Sequence, residues 1–501
     1  MIIQKIIRNN PNMFSNADEI CKNLCCYREN TRGKKIIDYP KNIENILQGG
    51  SGGIPISYDG NKGKVYVDHT DRHSVIIGQT GAKKSRLVAM PLVYILGAAK
   101  ESMIISDPKA EIYHRTSGYL KNEGYEIRVI NLREPKKGDA WNPLAIAYKF
   151  YMQGDIDKAY EFANDIAVNL IAIDKSQTDA FWDNSAGTLF FGLTILLFKM
   201  CAENNEDESE VNIRNVLMLR KELFSKGDPS EKALWRYAQK DKFIESMLIG
   251  SVMTARDTRA GILSVFDEKM RVFSVQPSLL DMLSQNDGEY DLVRERPSAI
   301  YLLLPDEKTG YHSLVSLYIK QSYEYYIYKA QQDLEKGKEY GNRINYILDE
   351  FSSLPAISDF PAMITAARSR NIRFNLFLQS KKQLILKYHE DSDTIMSNCE
   401  NWIYLFTREL DFLKELSELC GENSSKRSLL SVSDLQRLDK ERGETLILTG
   451  RNKPLITYLP DIDFYDSGTP LTVADTIKIN DRVVDREFDI RMKQIILNTI
   501  L

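Results

Sequence analysis

The run HSVIIGQTGAKKSRLV, residues 73–88, sets a glycine-rich turn between a β-branched apolar stretch and an apolar helical one. That order suits a phosphate-binding loop of pattern G-x-x-x-x-G-K-[ST], with Gly78, Thr80, Gly81, Lys84 and Ser85 in the expected places. In such a loop, successive backbone N–H groups and a helix N-terminus surround phosphate oxygens, the lysine adds a cation and the hydroxyl ligates magnesium. Lys84 and Ser85 would hold the nucleotide, Ser85 its metal as well. Lys83 stands where the pattern has its last glycine. A Cβ there hinders both the backbone and the approach of phosphate, so Lys83 either distorts the loop or is tolerated and brings a second cation. An ordinary strand-to-helix turn is the competing reading.

Further residues fit the same chemistry. In RINYILDEF (343–351), Asp349 and Glu350 end an apolar run, where an Asp can join a magnesium shell and the next acid can orient or activate an attacking water. In AARSRNIRFNLFLQS (366–380), Gln379 ends a strand-like run and could sense the γ-phosphate or position that water. Arg368, Arg370 and Arg373 precede it; one could stabilise transition-state charge on a neighbouring subunit's nucleotide, or all could line a solvated or nucleic-acid-facing edge. Lys381 and Lys382 are a local basic pair of the same ambiguity. Cys21, Cys25 and Cys26 lack a nearby histidine, and their spacing suits a buried helix face better than zinc. The five histidines show no metal spacing.

Elements must hold these groups. Eight short apolar runs recur at 73–78, 102–107, 126–131, 298–305, 343–349, 373–380, 401–406 and 444–450. Their apolarity is continuous rather than alternating, which predicts strands buried on both faces of a largely parallel α/β sheet. Between about 145 and 285 the period becomes helical, predicting an inserted all-α domain. The expected division is an amino-terminal arm and linker (1–60), the first part of the nucleotide-binding core (61–145), the α insertion (146–285), the second part of the core (286–460) and a carboxyl-terminal extension (461–501). In that extension Val484, Phe488, Met492, Ile495 and Ile496 share a helical stripe, for its own core or for a partner.

Composition narrows the class. The chain has 501 residues, 43% of them hydrophobic, and 66 Lys+Arg against 70 Asp+Glu, a formal charge of -4. No global positive field announces a polyanion, so a nucleic-acid surface must be local. Six cysteines fit a reducing compartment and exclude a disulfide scaffold. The apolar runs at 87–99 and 186–198 are shorter than the roughly 18–20 residues of a spanning helix, which predicts a soluble, cytoplasmic protein.

Taken in order, these pieces resemble the TraG/TraD-like coupling ATPases of type IV secretion and conjugation. The resemblance extends through ISDPKAEIYHRTSGYLKNEGYEIRVINL (105–132, with Ala110 where glycine is usual), AWNPL (140–144), FWDNSAGTLFFGL (181–193) and NCENWIYL (398–405), over roughly residues 55–460. It implies a RecA-like P-loop NTPase core with an inserted all-α domain, binding ATP and Mg2+ and assembling as a homo-hexamer that moves DNA. Asp349 and Glu350 would be its Walker B pair, Gln379 its sensor and Arg368 its finger. The implied partners are conjugative DNA, with or without a relaxase, and secretion channel components. Membrane helices usual in the family are missing from this sequence, so docking at the inner face of the membrane would run through a partner. Lys83 also admits a weakened protein acting as a nucleotide- or DNA-binding scaffold.

Overall fold

The computed structural model describes residues 25–29, 35–38, 52–171, 180–465 except 289, 291, 306, 308, 339 and 340, and then 494 and 496–498. Two compact units share the chain: one comprises residues 1–129, 290–306 and 325–476, the other residues 130–289, 307–324 and 477–501.

Among the described residues the first unit carries two sheets. A four-stranded antiparallel sheet has the order β2-β1-β4-β3, from β1 (Cys25–Glu29), β2 (Lys35–Asp38), β3 (Ile54–Asp59) and β4 (Lys64–Asp68). The central sheet has nine strands in the order β13-β12-β11-β5-β10-β9-β6-β8-β7. These are β5 (His73–Gly78), β6 (Ser102–Asp107), β7 (Glu126–Asn131), β8 (Ser298–Leu303), β9 (Ile344–Leu348), β10 (Ile372–Leu378), β11 (Cys399–Phe406), β12 (Glu444–Thr449) and β13 (Leu455–Tyr458). From β11 to β8 the neighbours run parallel, and β12 and β13 add an antiparallel edge. Strands β5, β6, β8, β9 and β10 are buried at every position, as continuous apolar runs require.

All eight expected strands form. The expected arm, by contrast, contains β1, β2 and β3: CCYRE and KIID are too short for a period of 2 to be told from 3.6. Cys25 and Cys26 thus lie in a strand, which removes the helical-face reading of the cysteine spacing; Cys21 lies outside the described residues. So do Val484, Phe488, Met492 and Ile495 of the terminal stripe.

Burial at the amino ends of the parallel strands creates a strict charge balance. Glu101 and Arg373 are 0% and 2% exposed and form an ion pair of 2.8 Å. Arg373 also donates from Nε to Asn345 Oδ1 at 2.8 Å and to the carbonyls of Thr70 and Gly52. Glu101 accepts from Gly52 N at 2.9 Å and Asn345 Nδ2 at 2.7 Å, with Arg343 at 3.6 Å. The network ties β6, β9 and β10 to the segment before β3.

The second unit is helical, including Ala145–Met152, Ile156–Ile171, Ala180–Glu203, Ile213–Leu223, Lys242–Val252 and Arg256–Lys269. Its longest helix corrects the run lengths read from sequence. Ala180–Glu203 has 24 residues with mean hydropathy 1.6, enough by length and composition to cross a membrane, yet 78% of that window is buried inside the protein. Flanking Phe181, Met200 and Cys201 extend the apolar stretch, while Thr194 satisfies its hydroxyl on the Phe190 carbonyl at 2.8 Å. The start of the helix His312–Glu335 joins this unit too: Gln321 donates to the Pro143 carbonyl at 2.7 Å, and Lys320 pairs with Asp165 at 3.1 Å.

Candidate functional site

Strand β5 ends at Gly78, and the chain turns through residues 79–83 into a helical stretch that continues as Met90–Ala99. The turn is fixed by its own backbone: Gln79 N donates to the Phe406 carbonyl at 2.8 Å and Ala82 N to the Gln79 carbonyl at 3.0 Å. A Cβ on Gly78 would stand 3.0 Å from Ala82 Cβ and 3.2 Å from Lys84 Cγ, so the first glycine is needed for space. Gly81 is needed for conformation, with φ +82°.

Lys83 resolves the question its sequence raises. It adopts φ +61°, the left-handed backbone for which glycine is the usual choice. The loop is therefore not distorted by the side chain; a lysine carries about 1–2 kcal/mol of local strain in the same conformation. Its Nζ reaches Glu441 Oε2 at 2.5 Å. Ala110, the other position where the family pattern expects glycine, likewise sits at φ +58°. Lys83→Gly is expected to raise stability by about 1 kcal/mol and to change nucleotide turnover by less than about threefold, as measured by thermal denaturation and phosphate release.

Around the loop the parallel strands deliver their carboxyl ends. Lys84 is 6% exposed, donates to the Gly78 carbonyl at 2.5 Å and lies 4.0 Å from Glu350 Oε1. Burial lowers its pKa, and Glu350 and Asp349 oppose that shift. Ser85 Oγ donates to Asp349 Oδ2 at 3.4 Å. Glu350, at φ +52°, accepts from Gln379 Nε2 at 2.6 Å. Thus Lys84, Ser85, Asp349, Glu350 and Gln379 converge, with a hydroxyl and a carboxylate spaced as magnesium ligands would be and an acid held by an amide.

Arg368 is not part of that cluster. It precedes β10, beside the start of the strands, and pairs with Glu400 and, at 3.0 Å, with Asp71. Six or seven residues of strand, roughly 20 Å, separate that end of the sheet from the loop. Arg373 is a correction: it is locked in the buried network with Glu101 and has no access to a neighbour's nucleotide. Lys381 is tied to Glu415 at 2.8 Å, while Lys382 is exposed.

Asp107 is a site residue that sequence reasoning passed over. It ends β6 as Asp349 follows β9, and the parallel register Ser106↔Leu348 sets the two acids side by side. It is 1% exposed and accepts from Tyr113 N at 2.8 Å. Burial, then the charges of Asp349 and Glu111, push its pKa up to about 7; burial and Glu350 push Asp349 up to about 6, against Lys84. The signal was available in SMIISD, whose acid closes an apolar run just as Asp349 does.

A raised carboxyl pKa means that the folded state keeps a proton the unfolded chain releases. The stabilisation is whole below pH 4 and is lost progressively as pH rises from about 4 to about 7. The ligand-free Asp107→Asn variant should therefore match wild type near pH 4 and exceed it by roughly 3 kcal/mol at pH 8 in denaturation experiments.

A family model described as "Type IV secretory system Conjugative DNA transfer" matches residues 16–452. Protein VirD4 of Rhizobium rhizogenes is 21% identical over 432 residues, covering 83% of this chain and 60% of the relative. Protein VirD4 of Rhizobium radiobacter is 22% identical over 436 residues, covering 84% and 59%. The chain thus spans about 60% of the length of these curated relatives. Among solved structures, the bacterial conjugative coupling protein TrwBdeltaN70 in complex with sulphate aligns with TM-score 0.59 at 14% identity, over 89% of this chain and 96% of that one. Plasmid coupling protein TrwB in complex with ADP and Mg2+ gives TM-score 0.59 and 14% identity, over 85% and 99%. At such identity the likeness speaks for the fold: a mostly parallel, RecA-like P-loop core with a helical domain.

Proposed function

The chain belongs to the type IV secretory conjugative DNA transfer family, and from that premise we propose that it is an ATP- and Mg2+-dependent coupling protein that recruits and moves DNA for conjugation or secretion. One observation carries the reading: the approach of Lys84, Ser85, Asp349, Glu350 and Gln379 around one glycine-rich turn. The TrwB structures with ADP and Mg2+ and with the GTP analogue GDPNP support it.

In this reading the backbone from Gly78 to Lys84, with Thr80 and Gly81, holds the phosphates, and Ser85 and Asp349 hold the metal. When bound, magnesium neutralises charge on the phosphates. Glu350 takes the proton of the attacking water, and its carboxylate is aimed by the Gln379 amide. Lys84 faces the charge that develops on the transferred phosphoryl group. Arg368, held by Asp71 and Glu400 at the other end of the strands, serves a neighbouring subunit in a homo-hexamer, acting in trans. The domain described works on the cytoplasmic side.

The scaffold alternative drew on Lys83; the left-handed backbone there speaks against a distorted loop and so favours the first reading. The test is ATP hydrolysis by the purified chain with and without DNA, with its mass measured in solution. DNA-stimulated hydrolysis by an oligomer supports the proposal; absence of nucleotide binding ends it.

A further inference from the structure

Strand β6 ends at Asp107, and the chain turns through Pro108, Lys109 and Ala110 into the helix Glu111–Asn122. The turn is tightly fixed. Ala110 N donates to the Asp107 carbonyl at 3.3 Å, Tyr113 N donates to the Asp107 carboxylate at 2.8 Å, and Ala110 takes φ +58°. From Glu101 to Ala110 every residue except Lys109 is buried. Lys109 therefore stands exposed on a rigid base, and its ammonium makes no hydrogen bond or ion pair among the described residues.

The turn lies at the ligand end of the sheet. Ser106 is in register with Leu348 and donates from Oγ to the Asp349 carbonyl at 2.9 Å, which pins the start of the turn to the acid pair. Two charged groups mark where the Lys109 ammonium stands. Burial and Glu350 raise the Asp349 carboxyl, and Lys84 and Lys109 oppose that rise; burial lowers the Lys84 ammonium against Glu350 and Asp349, and Lys109 adds to the lowering. A cation felt at both Lys84 and Asp349 faces the cleft that they share.

Strand order says which phosphate it would meet. Outward from β5, which delivers the loop, come β10 with Gln379, β9 with Asp349 and Glu350, and then β6 with this turn. The loop itself cradles the inner phosphates, so a terminal group that meets Glu350 is the one on the side of β6.

We infer that Lys109 binds the terminal phosphate of the nucleoside triphosphate together with Lys84, and so sets a preference for triphosphate over diphosphate. The inference rests on the nucleotide reading of the loop. A second ammonium offsets the carboxylates of Asp349 and Glu350, which would otherwise repel the incoming charge. No acid has to release it first, in contrast to Lys83 and Lys381, which are tied to Glu441 and Glu415.

The test is calorimetry of wild type, Lys109→Ala and Lys109→Arg with Mg-ADP and with the Mg2+ complex of the non-hydrolysable analogue ADPNP. Lys109→Ala should lose about tenfold in ADPNP affinity, as expected for one charge-assisted hydrogen bond. It should keep wild-type ADP affinity, which also reports an intact fold and loop. Lys109→Arg keeps the cation and should bind both nucleotides within about threefold of wild type. Unchanged ADPNP affinity in Lys109→Ala, an equal loss for both nucleotides, or a loss in Lys109→Arg as large as in Lys109→Ala overturns the assignment while the loop reading stands. Wild type that binds neither nucleotide overturns both.

Discussion

Lys84→Ala should lower ATP turnover by about 10²–10³-fold, and Glu350→Gln should lower it at least as far by a different route. Lys84 is the buried cation at the mouth of the loop, 4.0 Å from Glu350. Without it, Asp349 and Glu350 face incoming phosphate charge unopposed, so nucleotide affinity falls together with the rate. Glu350→Gln leaves shape and Lys84 in place and removes the proton acceptor. Its kcat should drop by about 10²–10⁴-fold while Mg-ATP still binds within a few-fold of wild type. The pair is thus told apart by binding: calorimetry should show weak ATP binding for Lys84→Ala and near-normal binding for Glu350→Gln. Turnover within twofold of wild type in either variant would remove that residue from the mechanism.

The contrast between the two residues also explains what sequence could reveal. The turn was legible because its signal is local: Gly78, Gly81, Lys84 and Ser85 lie within eight positions between a strand and a helix. Asp349, Glu350 and Gln379 were legible through a second regularity, since a polar residue closing a buried parallel strand faces the ligand side of the sheet. That rule was applied to β9 and β10 but not to β6, which is why Asp107 was passed over. The approach of Tyr58 and Tyr458 beside the loop was beyond reach, because it depends on long-range packing of β3 against β13, where Ser57 and Thr457 share a hydrogen bond of 2.8 Å. The amino-terminal sheet was hidden for a related reason. Strands of four and five residues such as KIID and CCYRE carry too few positions for a period, and only their antiparallel partners define them. Lys83 was the reverse case: the sequence marked it as a defect, and backbone geometry made it a tolerated one.

The largest loss of stability is expected at Glu101, far from the loop. This carboxylate is fully buried and is the counter-charge for two guanidinium groups, Arg373 at 2.8 Å and Arg343 at 3.6 Å. Glu101→Leu would strand both cations, and breaking a buried pair from one side costs about 3–5 kcal/mol. Arg373→Leu should cost less, because Glu101 retains Arg343, the Gly52 amide and the Asn345 amide. The double variant should then lose less than the sum of the singles, since Arg373 is removed together with its counter-charge, although Arg343 still loses Glu101 and Asn345 and the Thr70 and Gly52 carbonyls lose a donor. The effect should reach the active site through register. Strand pairing at Leu376↔Leu348 and Leu378↔Ile77 is what brings Gln379, Asp349 and Gly78 to one level, and a slip of one residue would turn each side chain to the opposite face. Urea denaturation of the two singles and the double decides the matter. A Glu101→Leu cost below about 1 kcal/mol would mean that water reaches the arginines and that the register is held by packing alone.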